Sequence, residues 1–179
     1  MMPYQQGDLE NLCGLYALIN AARLADPTLE YKECQDVYLA ALRWLRKRKG
    51  FLGVLNEGMA INTVLSLHKA VFQRQWPQMT LHRAFPRKPK NAKAFWSRME
   101  KEASRANQGM FIGIGGRYNH WSAVHKITDK TIRLFDSGEL SSLHRRLCGY
   151  SQEQDIPYLI VPGHVLLLRA ASPREVNHD

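Results

Sequence analysis

The apolar pattern changes period near Gly109. Before it, apolar residues recur at helical spacing; after it they fall in short alternating or continuous runs of strand type. Helices first and a sheet afterwards predict an α+β chain with an antiparallel C-terminal sheet. The expected helices open at Cys13, at about 33–48 (Val37, Leu39, Ala40, Leu42, Leu45), at about 58–72 and at about 92–106. The second ends in Arg46-Lys47-Arg48-Lys49-Gly50, basic residues in a last turn followed by a glycine stop. Residues 76–91, with Pro77, Pro86 and Pro89, read as an irregular crossover. Strands are expected at 110–114, 121–127, 131–135, 158–161 and 165–168. This gives a single domain over 1–179, with a helical lobe at about 1–106 and a β lobe at about 107–170.

A chain of 179 residues buries enough surface to fold without a disulfide or metal staple. Cys13, Cys34 and Cys148 form an odd, widely spaced set with no CxxC, which argues against a disulfide framework or zinc ribbon and fits a reducing compartment. No stretch resembles a signal peptide, and no apolar run approaches the roughly 18 residues that span a bilayer. The expectation is a cytoplasmic protein, or a domain delivered into a target cell's cytosol, with no membrane partner. Lys and Arg number 25 against 16 Asp and Glu, a formal charge of +9 that suits an acidic partner or inhibitor.

Within 6–20, Leu12, Leu15, Ile19 and Ala22 mark the buried face of a helix whose first turn holds Cys13. Asn11 or Asp8 can cap it. Unpaired backbone N–H groups and the positive end of the helix dipole favour thiolate over thiol there, and the thiolate is the nucleophile. Such a nucleophile needs an imidazole, a group to hold the imidazole, and donors for an oxyanion. His120 stands at the start of a strand, and Asp136 stands sixteen residues on, where the next strand runs out.

The spacing carries a geometric condition. Paired residues in a hairpin have a constant positional sum, and side chains on one face differ by steps of two. The positions of His120 and Asp136 sum to an even number, so the two share a face only if the loop is odd or a bulge shifts the register. A two-residue Asp129-Lys130 loop would separate them, and it lacks the usual Asn-Gly or Asp-Gly chemistry; a three-residue loop, 128–130, is feasible. His125, five positions beyond His120, points to the other face and reads as structural. Gln6, seven residues before Cys13, can aim its amide at the oxyanion, with Gln5 as its competitor.

The Gln…Cys-Gly opening a helix, the later His-Trp, and the Asp ending the next strand resemble the papain-like cysteine peptidase superfamily. The nearest flavours are the double-glycine leader peptidases of bacteriocin exporters and, more distantly, the Josephin deubiquitinases. The resemblance implies Cys13 as nucleophile, His120 as general base and acid, Asp136 as orienter and Gln6 as oxyanion donor. It also implies a cleft between a helical and a sheet lobe, Asn119 and Trp121 beside the substrate, Trp121 shielding the His–Asp pair from water, a protein or peptide substrate, and no cofactor or metal. Leu12 before the cysteine and Ser137-Gly138 after Asp136 depart from the family pattern without removing a catalytic group.

The expected activity is therefore hydrolysis of a peptide or isopeptide bond through a Cys13 acyl-enzyme. The same triad acting on a glutamine side chain gives a deamidase or transglutaminase, as in toxins and effectors. The rival is a non-catalytic nucleic-acid or protein-binding module using Arg43, Arg46, Lys47, Arg48, Arg87, Lys88 and Lys90, of which nucleic acid is the less favoured partner.

Overall fold

A computed structural model describes residues 1–151 and 156–171. Helix α1 (Cys13–Ala25) is followed by α2 (Tyr31–Arg46), α3 (Phe51–Glu57) and α4 (Ile61–Leu67). The last of these runs on through a π-helical turn (His68–Phe72) into a single turn, α5 (Gln73–Gln75). After strand β1 (Met79–Arg83) comes α6 (Ala92–Ala103). The remaining strands are β2 (Gln108–Gly116), β3 (His120–Ile127), β4 (Thr131–Phe135), β5 (Ser142–His144), β6 (Cys148–Gly149) and β7 (Tyr158–Ala170). The chain is a mixed structure with helices toward its N-terminus and an antiparallel sheet toward its C-terminus.

The seven strands lie in the order β1-β7-β2-β3-β4-β5, with the two-residue β6 parallel to β7 and all other pairs antiparallel. Alternate residues of the central strands enter two separate cores. Phe111, Trp121, Ala123, Phe135, Leu166 and Leu168 pack against Leu15, Leu18, Ile19 and Ala22 of α1. Met110, Ile112, Val124, Ile132, Val165 and Leu167 pack with Phe95 and Met99 of α6. Both faces of β2 are thus covered, which is why its apolar run is continuous instead of alternating. Close approach on the α1 side depends on Gly109, where a Cβ would sit 1.8 Å from the Ala21 carbonyl oxygen.

Several sequence expectations need correction. Residues 76–91 contain β1, an edge strand on β7 that the flanking Pro77 and Pro86 disguise. The strand's own exposed residues, Thr80, His82 and Arg83, suit an edge that must not recruit further strands. The fourth expected helix, α6, does not join the first three but covers the opposite face of the sheet. The two strands expected at 158–161 and 165–168 are one long strand, with an irregular register against Ile112 to Ile114 where Pro162-Gly163 interrupts the ladder. No helix among the described residues is long and apolar enough to cross a membrane.

Candidate active site

Cys13 is the first residue of α1 and is 5% exposed. Neither Asn11 nor Asp8 caps the helix. Glu10 does the work from further back: its carboxylate accepts from the N–H of Gly7 (3.0 Å) and of Leu12 (2.6 Å), which fixes the turn leading into Cys13. Asn11 is tied to the end of α3, its N–H donating to the Leu55 carbonyl (2.9 Å) and its side chain to the Asn56 carbonyl (2.7 Å). The residue after the cysteine is closely packed: a Cβ on Gly14 would lie 2.8 Å from the Met59 methyl, which would have to move aside, and 3.2 Å from the Trp121 ring. Trp121 is buried there and donates its indole N–H to the Met59 carbonyl (2.7 Å). That placement makes Trp121 part of the core under α1, tilted against Phe111, and leaves it no free polar group for a substrate. Asn119 is exposed beside His120.

His120 opens β3, and Asp136 follows the last residue of β4. The hairpin between them turns through two residues, Asp129 and Lys130, with Thr128 N–H donating to the Thr131 carbonyl (2.8 Å). Of the two solutions the spacing allows, the three-residue loop is therefore not the one used. The Thr128 and Thr131 hydroxyls, 3.0 Å apart, brace the turn in place of Asn-Gly chemistry. The parity condition is met elsewhere. The ladder pairs Ile127 with Ile132 and Lys126 with Arg133, then skips His125 and resumes with Val124 opposite Leu134. This bulge at His125 converts an odd positional sum into an even one and turns His120 and Asp136 to the same side. Asp136 Oδ2 lies 2.7 Å from His120 Nε2.

The pair is enclosed: the His120 side chain is 15% exposed and that of Asp136 3%. Burial alone would drive the imidazole toward its neutral form, but the hydrogen-bonded Asp136 carboxylate, with the nearby Cys13 sulfur adding to it, outweighs burial and raises the ring's pKa to about 9. For Asp136, burial acts against the carboxylate, and the opposing hydrogen bonds and charge of His120, the Ser122 hydroxyl and the Gly138 N–H hold it below the ordinary value. The last of these is a 2.8 Å bond to Oδ1, the Asx turn that Asp-Ser-Gly announces. Because Nε2 faces Asp136, Nδ1 is the ring nitrogen left for Cys13. A groove of about 420 Å³ lined by Tyr118, His120, Asp136, Gly138, Glu139 and Leu140 opens onto the pair.

The N-terminal arm is fastened on two sides. Buried Asn20 of α1 accepts from the Tyr4 N–H (2.9 Å) and donates to its carbonyl (3.1 Å). Further on, the Gln6 N–H donates to the Ser137 carbonyl (2.8 Å). The Gln5 amide nitrogen is spent on the Asp136 carbonyl (3.1 Å). Gln6 makes no side-chain hydrogen bond among the described residues, and its Oε1 is buried without a partner. Of the two competing amides, Gln6 is the one left uncommitted. Sequence reasoning missed Glu10, Asn20, Ser122 and Ser137, whose roles come from contacts between distant segments. Cys34 and Cys148 are buried in the two cores, and His125 is exposed on the bulge. Among the described residues no three His, Cys, Asp or Glu side chains gather as a metal site would require. Comparison with protein-family models, curated proteins and solved structures returned no match for this chain.

Proposed function

We propose that the protein is a papain-like cysteine hydrolase that cleaves an amide bond, peptide or isopeptide, through an acyl-enzyme on Cys13. The observation that carries this reading is the His120 ring, bonded through Nε2 to Asp136 at 2.7 Å and acted on by the Cys13 thiol at the start of a helix. A histidine that keeps its proton to about pH 9 is a positive charge and a proton donor beside the Cys13 sulfur at neutral pH. The Cys13 sulfur attacks the carbonyl carbon. The oxyanion meets the first-turn N–H of Cys13, which has no helical acceptor, and the uncommitted Gln6 amide. The imidazolium gives its Nδ1 proton to the departing nitrogen, the amine leaves, and the thioester forms. The neutral ring then takes a proton from water, whose oxygen displaces Cys13 and releases the acid.

Iodoacetamide competition reads the thiolate directly. At pH 6–7 Cys13 alkylates first, as followed by peptide mass spectrometry. Cys34 and Cys148 lag because burial pushes both thiols up, Cys148 to about 12. His120→Ala slows Cys13 to the rate of an ordinary buried thiol. Equal, slow labelling of all three cysteines in the unmodified protein would overturn the reading.

A further inference from the structure

We propose that the corner between α2 and α3 is an exosite that docks an acidic stretch of the polypeptide substrate; this rests on the hydrolase reading above. The last turn of α2 and the linker behind it carry Arg43, Arg46, Lys47, Arg48 and Lys49, all exposed. Among the described residues none of these five forms an ion pair. The arginines around α6 behave otherwise: Arg98, Arg105, Arg145 and Arg169 all pair with Glu100 or Glu102. Arg48 is held over the Trp44 ring at 4.4 Å, so part of the cluster is fixed in place. Gly50, in the left-handed region at φ +86, turns the chain sharply from this cluster into α3.

Helix α3 connects the cluster to the candidate active site. None of its seven residues is buried, and Leu52 on it is 71% exposed, an apolar step beside the cations. Its far end is bonded to Asn11, two residues before Cys13, and is followed by Met59, whose carbonyl holds Trp121. Glu57 at that far end opposes acidic groups close to the cleft, so the surface is polarised along its length. Seven helical residues span about 10 Å, which an extended substrate covers in about three residues. With the step from Asn11 to Cys13 added, acidic side chains over the cluster fall about four to six residues from the scissile bond. Arg87, Lys88 and Lys90 sit on a different element, the loop after β1.

Two measurements test this. The first is fluorescence anisotropy with Cys13→Ala protein and a labelled peptide carrying a run of glutamates, its glutamine analogue, and a uridine oligonucleotide of about twelve units. The glutamate peptide is expected to bind at least about tenfold tighter than the glutamine one at about 50 mM salt and to weaken as salt rises. Arg46→Glu with Lys47→Glu and Lys49→Glu abolishes that difference, while Arg87→Glu with Lys88→Glu and Lys90→Glu, an equal change of charge, retains it. Equal loss in both triple variants, or tighter binding of the oligonucleotide through the same residues, overturns the exosite. The second is digestion of a proteome-derived peptide library with unmodified protein, expected to show Asp and Glu enriched about four to six residues from the cut. Cleavage without that enrichment also overturns the exosite. Absence of any Cys13-dependent cleavage sinks the hydrolase reading instead, and the two are separable because the α2–α3 variant keeps the Cys13 alkylation rate within about twofold.

Discussion

At the scale of single residues, His120 sets the pH behaviour of the proposed chemistry. Its folded pKa, about 9, lies above the ordinary 6.5, so the imidazolium persists through neutral pH and is lost as pH rises through about 9. A general acid lost in that range gives kcat/KM an alkaline limb near pH 9. Asp136→Asn removes the carboxylate that opposes desolvation, so the limb moves down toward 6.5, and activity at pH 8 falls by about tenfold or more. A pH–rate profile whose limb stays in place would show that Asp136 does not govern the ring. The two glutamines separate in the same assay. Gln6→Ala lowers kcat by about a hundredfold to a thousandfold without slowing Cys13 alkylation, the signature of a lost oxyanion donor. Gln5→Ala, which removes a bond to the Asp136 carbonyl, has the smaller effect.

At the scale of elements, the site depends on how α1 seats on the sheet and on one extra residue in β3. Gly109→Ala drives a Cβ into the Ala21 carbonyl, and because the obstacle is backbone, α1 must shift. Urea unfolding should show a loss of about 2 kcal/mol or more, and Cys13 alkylation should slow because its helix has moved from His120. The bulge acts through its backbone count, so His125→Ala, a change at an exposed side chain, leaves alkylation and stability nearly unchanged. How much of this was legible follows from what each signal depends on. Cys13 at a helix start, His120 at a strand start and the parity condition all follow from local period and counting. Which solution the hairpin takes does not, because the bulge at His125 and the threonine-braced turn are decided by backbone packing across the ladder. Strand β1 was hidden because an edge strand needs only one partner, and that partner, β7, lies about ninety residues away. The cap failed for a similar reason: Glu10 reaches over the turn that Asn11 and Asp8 were expected to close.

At the scale of the whole molecule, two histidines of opposite character bound the pH range in which the fold is firmest. His120, raised to about 9, contributes stability that is complete below 6.5 and is lost as pH rises through 9. His68 works the other way. It lies 5% exposed on the π-helical turn, stacked on Phe72, with Nε2 buried and unpartnered. Burial, helped by the charge of His82, lowers its pKa to about 4. Below 6.5 the unfolded chain therefore binds a proton that the folded one refuses until about pH 4, and the fold loses about 3 kcal/mol over that interval. Asp136, lowered from 3.8, adds a further loss at still lower pH. Stability measured by urea unfolding should peak near pH 6.5 and decline on both sides. His68→Leu removes an unsatisfied buried nitrogen together with the titrating group, so it should flatten the acid limb by about 3 kcal/mol and leave the alkaline limb as it was. Asp136→Asn should flatten the alkaline limb between pH 6.5 and 9, and it also removes the loss that Asp136 adds at the acid extreme. A single curve that both substitutions shift uniformly, with neither limb changed in shape, would mean that these two histidines do not set the window.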